Sequence, residues 1–417
     1  RFFGAAGAVL FSFLSGASDI YIPPLVVILW IKRQGDFSGA EYLPAFVKRF
    51  DLIGKIKSCK LKITATGIFT VKFNGKKTGD YFMPGWSNYK KYVNECEYDL
   101  TDGVKKNNEI SVIVADGWYA GNLGYNVGNA VYGKEKRLRA EIAIEYENAE
   151  KQTIETDETW DTYSSNIVCA DFFDGEAIDF TREEFANGQK AEVCDFDLKR
   201  EPYLYEPVRV IEKIIPEIIY RDENRIRLDF KKNFAGVISF TAKGARGGKV
   251  IVRFAETLNA DGTLYTENLR RAKCTDELIL SGGYDVFDPE FTFHGFRYAE
   301  ISSDSEFTAT DIIGKELSQN INYGGRFECS DDIINGVYKM ASNGQKSNFI
   351  SIPTDCPQRD ERLGWTGDAE VFCNSAMFNA DCEKFFANYL KLIRTDVLPD
   401  GRIPSFAPFF VPVADNT

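Results

Sequence analysis

The sequence predicts a multidomain, mostly β protein: two antiparallel β-sandwich domains followed by the opening helices of an α domain. Three observations carry this. Short strands with strict alternation, punctuated by Asn-Gly and Asp-Gly turns, run from about residue 40 to 200. A second strand block occupies about 205 to 315, and beyond residue 318 the apolar residues change to helical spacing. The implied divisions are an unplaced segment 1–40, sandwiches at 41–203 and 204–316, and the incomplete α region 317–417.

In the first block, residues 60–66 (KLKITAT), 69–73 (FTVKF, before the turn Asn74-Gly75), 109–115 (EISVIVA) and 139–146 (RAEIAIEY) all alternate with period two. Strands at 225–230, 236–242, 249–254, 277–280 and 296–301 make the second block, and Pro202, Pro207 and Pro216 mark the join. Helices are expected at 330–348, capped by Ser-Asp-Asp, and at 381–398, with the polar, proline-broken run 351–366 as the loop between them. Two helices cannot bury a core by themselves. The chain therefore reads as the N-terminal portion of a longer protein.

With 50 Lys+Arg against 62 Asp+Glu, the net charge of −12 repels phosphate backbones and argues against nucleic acid. The apolar runs near the start are too short and too broken to span a bilayer, so no membrane association is expected. A single histidine, His294, argues against His-rich metal sites and is better read as structural. Aromatic residues reach 14%, which suits β-sandwiches and sugar-binding surfaces. Nine cysteines, an odd number with no CxxC pair, favour free thiols in the cytoplasm. Residues 1–16 (RFFGAAGAVLFSFLSG) point the other way, to a trimmed secretory signal and a secreted or periplasmic protein.

Asp355, Asp360, Glu361 and Asp368, with Arg359, Arg362 and Trp365, crowd into fourteen residues between the two helices. Binding residues concentrate on such loops. An indole face stacks on a sugar ring. Clustered carboxylates repel, so at least one should have a raised pKa and serve as a proton donor. Either arginine could hold sugar hydroxyls or orient a carboxylate. These are the components of glycoside hydrolysis. Cys356, with no histidine near it in sequence, reads as a packed thiol.

Residues 353–372 (PTDCPQRDERLGWTGDAEVF) closely resemble the signature segment of glycoside hydrolase family 78, the bacterial α-L-rhamnosidases. The resemblance extends from about residue 40 to the end through Gly85-Trp86-Ser87-Asn88-Tyr89, Asp116-Gly117-Trp118-Tyr119, Asp174-Gly175-Glu176 and 291–298 (FTFHGFRY). It implies a jelly-roll-like, carbohydrate-binding-like first sandwich and a catalytic (α/α)6 barrel. It also implies inverting hydrolysis without metal or other cofactor. On that reading Glu361 is the general acid. Asp355 and Arg359 bind the rhamnose, Trp365 borders its apolar face, Asp368 contacts its hydroxyls, and Asp360 binds substrate in a less defined role. The family's general base lies far beyond this motif, so this chain alone is expected to be inactive. The partners implied are rhamnose-containing glycosides or oligosaccharides, with a homodimer compatible. The competing reading is a non-catalytic rhamnoside-binding protein. Asp174, Glu176 and Asp179 could bind calcium or sugar but read better as turn residues. Trp86 and Trp118 read better as core than as sugar platforms.

Overall fold

The computed structural model describes residues 28–35 and 42–410; the signal-like segment 1–16 lies outside the described residues. The alternating runs become strands as their periodicity requires. Ile56–Ala65 buries Leu61 and Ile63 and exposes Lys60 and Lys62. It pairs antiparallel with Arg137–Tyr146 on one side and Val93–Asp99 on the other. A second sheet orders Asp161–Ser165, Pro44–Asp51, Asn107–Ala115, Ile68–Phe73 and Lys76–Met83. Leu61, Ile63, Ile142 and Ile144 from the first sheet meet Phe46, Phe69, Val71, Val112 and Val114 from the second in one apolar core.

The second block is built on a 20-residue strand, Arg225–Gly244. It pairs with Glu217–Arg221, Tyr284–Phe287, His294–Ser303 and Phe307–Gln319. The hairpin of Ile167–Asp171 and Gly175–Asp179 joins this sheet, running parallel to Thr275–Ile279. Main-chain hydrogen bonds thus tie the two strand blocks together at the end of the molecule where the motif loop sits.

His294 and Asp276 are fully buried at this junction, with Nε2 and Oδ1 2.9 Å apart and the imidazole stacked on Phe254 at 4.1 Å. Glu176 Oε2 accepts from the main-chain nitrogens of Phe291 (2.8 Å) and Glu290 (3.0 Å). Asp174 pairs with Lys273, and Asp179 accepts from Thr181. These three acids thus serve local structure and do not converge on one point. Trp86 and Trp118 stack at 5.7 Å in the core, too buried to receive a sugar.

A short helix α1 (Gly117–Ala120) precedes three longer ones: α2 (Asp332–Asn348), α3 (Thr366–Asn379) and α4 (Glu383–Asp396). Asp331 caps α2, accepting from the nitrogens of Ile333 (2.8 Å) and Ile334 (3.2 Å). The expectation of only two helices in this region is corrected by α3. Its apolar residues Val371, Phe372, Ala376, Met377 and Phe378 circle the helix axis without forming one stripe, so periodicity gives no signal.

Candidate active site

The loop between α2 and α3 is closed on itself by Asp355. Its main-chain nitrogen donates to the carbonyl of Leu363 (3.0 Å), and its Oδ1 accepts from Leu363 N (2.7 Å). Gly364 follows at a point where a β-carbon would lie 2.6 Å from the carbonyl oxygen of Ala407. Its own carbonyl accepts from Tyr389 Oη at 2.6 Å, anchoring the loop to α4.

Arg359 spans two carboxylates. Nη2 donates to Asp355 Oδ2 at 3.2 Å and Nε to Glu361 Oε2 at 3.0 Å. The same Oε2 receives Arg270 Nη1 at 3.2 Å, while Glu361 Oε1 accepts from Trp365 Nε1 at 3.2 Å. Glu361 and Trp365 line a cavity of about 510 Å³ with Tyr125, Val127, Phe406 and Phe410. Trp365 is held against Phe406 at 5.7 Å.

Asp355 and Asp368 line a neighbouring cavity of about 630 Å³ between α2 and α3, with Asp368 exposed in the first turn of α3. The Asp355 carboxyl is pushed up chiefly by burial, with the charge of Glu361 a smaller contribution. A raised carboxyl is therefore present, but desolvation rather than crowding is its main cause. Asp360 points elsewhere and lines a third, smaller cavity. The six expected residues are thus close in the chain but divided among three adjoining spaces, with Arg359 linking two of them.

Arg362 is a correction. It is buried, and Nη1 donates to the carbonyls of Phe172 (2.6 Å) and Phe293 (3.0 Å). Nη2 donates to Gln358 O (3.2 Å) and Nε to Arg359 O (3.2 Å). With its donors on main-chain carbonyls, it cannot hold sugar hydroxyls. Arg270, Tyr125 and Val127 escaped the sequence reading. Arg270 comes from the second strand block and its guanidinium lies 4.9 Å from the Tyr125 ring. No local pattern announces it except an Arg-Arg pair.

Among the described residues, one group has metal-ligand spacing: Asp355, Cys356 and Glu361, with ligand atoms within 4.8 Å of one another. Burial, with the charge of Asp355 beside it, pushes the Cys356 thiol up to about 12. Arg359 meanwhile neutralises both carboxylates. The set fits carboxylate–arginine chemistry better than a cation.

Glu361, with Oε2 held by two guanidiniums and Oε1 by Trp365 Nε1 at the rim of an aromatic-lined cavity, offers one of the two carboxyl groups that glycoside hydrolysis uses. Three family models match the chain: the alpha-L-rhamnosidase N-terminal domain over residues 54–220, the bacterial alpha-L-rhamnosidase concanavalin-like domain over 220–318, and the bacterial alpha-L-rhamnosidase 6 hairpin glycosidase domain over 322–417. An alpha-L-rhamnosidase of Formosa agariphila is 35% identical over 402 residues, and one of Streptomyces avermitilis 33% over 371. These alignments cover 90% and 85% of this chain but 43% and 36% of the relatives, so the chain spans about two fifths of their length. The crystal structure of the Streptomyces avermitilis enzyme complexed with L-rhamnose superposes with a TM-score of 0.83 at 32% identity, covering 89% of this chain and 38% of that one. The alpha-L-rhamnosidase structure from Dictyoglomus thermophilum gives 0.84 at 31% identity, covering 92% and 46%. The chain belongs to the bacterial α-L-rhamnosidase family.

Proposed function

We propose that the full-length protein hydrolyses terminal α-L-rhamnosyl residues of rhamnose-containing glycosides with inversion, and that this chain supplies the acid side of the site through Glu361. The observation that carries this is the asymmetric holding of Glu361. Arg270 and Arg359 fix Oε2, while Oε1, which accepts from Trp365 Nε1 at the edge of the aromatic cavity, is the oxygen that delivers a proton to the glycosidic oxygen. Asp355 and Arg359 then hold the rhamnosyl hydroxyls, Asp368 contributes from the adjoining cavity, and Trp365 borders the ring's apolar face.

Asp355 stands too close to Glu361 to be the water-activating base, which in inverting enzymes lies roughly 6.5–9.5 Å from the acid. Nor is it placed as a nucleophile, since Leu363 N and Arg359 Nη2 each engage one of its oxygens. The base is then contributed from outside the described residues, and this chain alone is inactive. Domain divisions at 41–203 and 204–316 go with this reading, as does assignment of the helices to the start of an (α/α)6 barrel. Exposed Ile333, Val337, Met340, Val371, Phe378 and Leu390 suit that assignment, since further barrel helices would cover them. Nine free cysteines support a reducing, cytoplasmic location.

The test is proton NMR of the first sugar released from an α-L-rhamnoside by the full-length gene product. Release of β-L-rhamnose supports inversion; initial release of the α-anomer, or no release, defeats it.

A further inference from the structure

Two guanidiniums meet three carboxylates at the motif loop. Arg359 reaches Asp355 and Glu361, while Arg270 reaches Glu361 at 3.2 Å and Asp360 at 3.9 Å. With all three acids ionised, the group carries one uncompensated negative charge; with one proton added, its charges balance. A general acid must hold a proton before it can donate one. Two cations on Oε2 work against that, because they favour the charged form of Glu361. The acid therefore needs a neighbour that draws on the same positive charge.

Asp360 meets that need. It is only 3% exposed, and neither carboxylate oxygen has a hydrogen-bond partner. A buried carboxylate without donors depends on a nearby cation. The other cations on its side of the loop are engaged elsewhere. Lys273 Nζ pairs with Asp174 Oδ2 at 2.6 Å, and Arg271 Nη1 donates to Asn126 Oδ1 at 3.1 Å. Arg362, two residues along, places its donors on main-chain carbonyls. Arg270 is left as the cation for Asp360. On the Glu361 side, Asp355 retains Arg359 on one oxygen and Leu363 N on the other. Cys356 and the Tyr125 phenol are the other titratable groups facing Glu361 among the described residues.

We propose that Asp360 is a positioning residue for the acid, holding the charge of Arg270 while Glu361 carries its proton; this rests on the hydrolase reading above. Asp355–Arg359 and Asp360–Arg270 are then two balanced pairs, with a neutral Glu361 between them. The proton sits on Oε1, since Oε2 receives both guanidiniums and Oε1 keeps a second lone pair for Trp365 Nε1. Once the proton has left with the glycosidic oxygen, Arg270 and Arg359 neutralise the new carboxylate on Glu361. Arg270 thus serves both states of the acid. Asp360 does its part from a separate space, without touching the sugar.

The test is the pH dependence of the full-length gene product with Asp360→Asn and with Asp360→Leu, both of which remove the charge at similar volume. Two quantities are read: the alkaline limb of kcat/KM for an α-L-rhamnoside, and the pH midpoint of Trp365 fluorescence, isolated as the change lost in Glu361→Gln. Removing a negative charge beside Glu361 eases its ionisation, so limb and midpoint should both move down by about one pH unit. In an Arg270→Ala background the same substitutions should move the midpoint by less than half as much. A midpoint that stays in place overturns the proposal, as does one that moves equally without Arg270. No hydrolysis, or a limb that stays while the midpoint moves through Arg270, defeats the acid reading and still supports the hold of Asp360 on Glu361.

Discussion

Arg362 Nη1 donates to the carbonyl oxygen of Phe172 at 2.6 Å, joining the motif loop to the first strand block across 190 positions of sequence. A second bond, to Phe293 O, draws in the second block, and the guanidinium lies 4.8 Å from the Phe293 ring. The charged loop is therefore attached to both β blocks through its most buried arginine, and Glu361 sits one residue before that attachment.

Arg362→Met should leave four carbonyls without this donor, those of Phe172 and Phe293 fully buried. Hydrogen bonds to charged groups contribute about 1.5–3 kcal/mol each. The variant should lose at least about 3 kcal/mol of stability, read by urea unfolding, and activity with it. A loss below about 1 kcal/mol would contradict the attachment.

Arg270 acts on Glu361 through one hydrogen bond, so it is a positioning residue. Arg270→Ala in the full-length gene product should lower kcat by about tenfold or more with a smaller change in KM. Arg270→Lys should recover part of it, since a lysine can reproduce a single contact. Equal effects of alanine and lysine would contradict this role.

Gly364→Ala places a β-carbon 2.6 Å from Ala407 O, which is main chain and cannot swing away. The overpacking should cost about 1–3 kcal/mol. It should also disturb neighbouring Trp365, whose fluorescence reports the shift. An unchanged spectrum and midpoint would show that the loop tolerates the methyl.

The buried junction between the β blocks makes stability depend on pH. Burial alone would lower the His294 pKa, but Asp276, by charge and hydrogen bond, outweighs it and brings the value to about 9. Burial pushes Glu176 up to about 8. Both groups hold their protons more tightly in the folded than in the unfolded chain, where imidazole titrates near 6.5 and carboxyls near 4.3. The histidine contribution is complete below about pH 6.5 and is lost as pH rises through about 9; Glu176 acts in the same direction up to about 8. Stability should fall by a few kcal/mol between pH 6.5 and 9.5. Urea unfolding across that window checks it, and a flat or rising profile contradicts it.

Much of the fold was legible because period-two alternation in Ile56–Ala65 and Arg137–Tyr146, and the Asp331 cap, are local signals. Helix α3 was not, because its apolar residues surround the axis. The motif exposed Glu361 and Asp355 through charge density and resemblance, yet charge alone could not separate Arg359, which faces two carboxylates, from Arg362, which faces main-chain carbonyls. Arg270 lies 91 positions from Glu361, and Tyr125 further still; only the tertiary fold brings them to the cavity.

The central claim is that Glu361 donates the proton to the departing oxygen, and the leaving-group dependence of Glu361→Gln in the full-length gene product tests it most directly. Substrates with poor leaving groups, such as rhamnosyl sugars, should lose hydrolysis by about 10²–10⁴-fold. Activated aryl rhamnosides, which need little protonation, should retain far more. Equal losses on both classes, or unchanged hydrolysis of rhamnosyl sugars, would contradict the assignment.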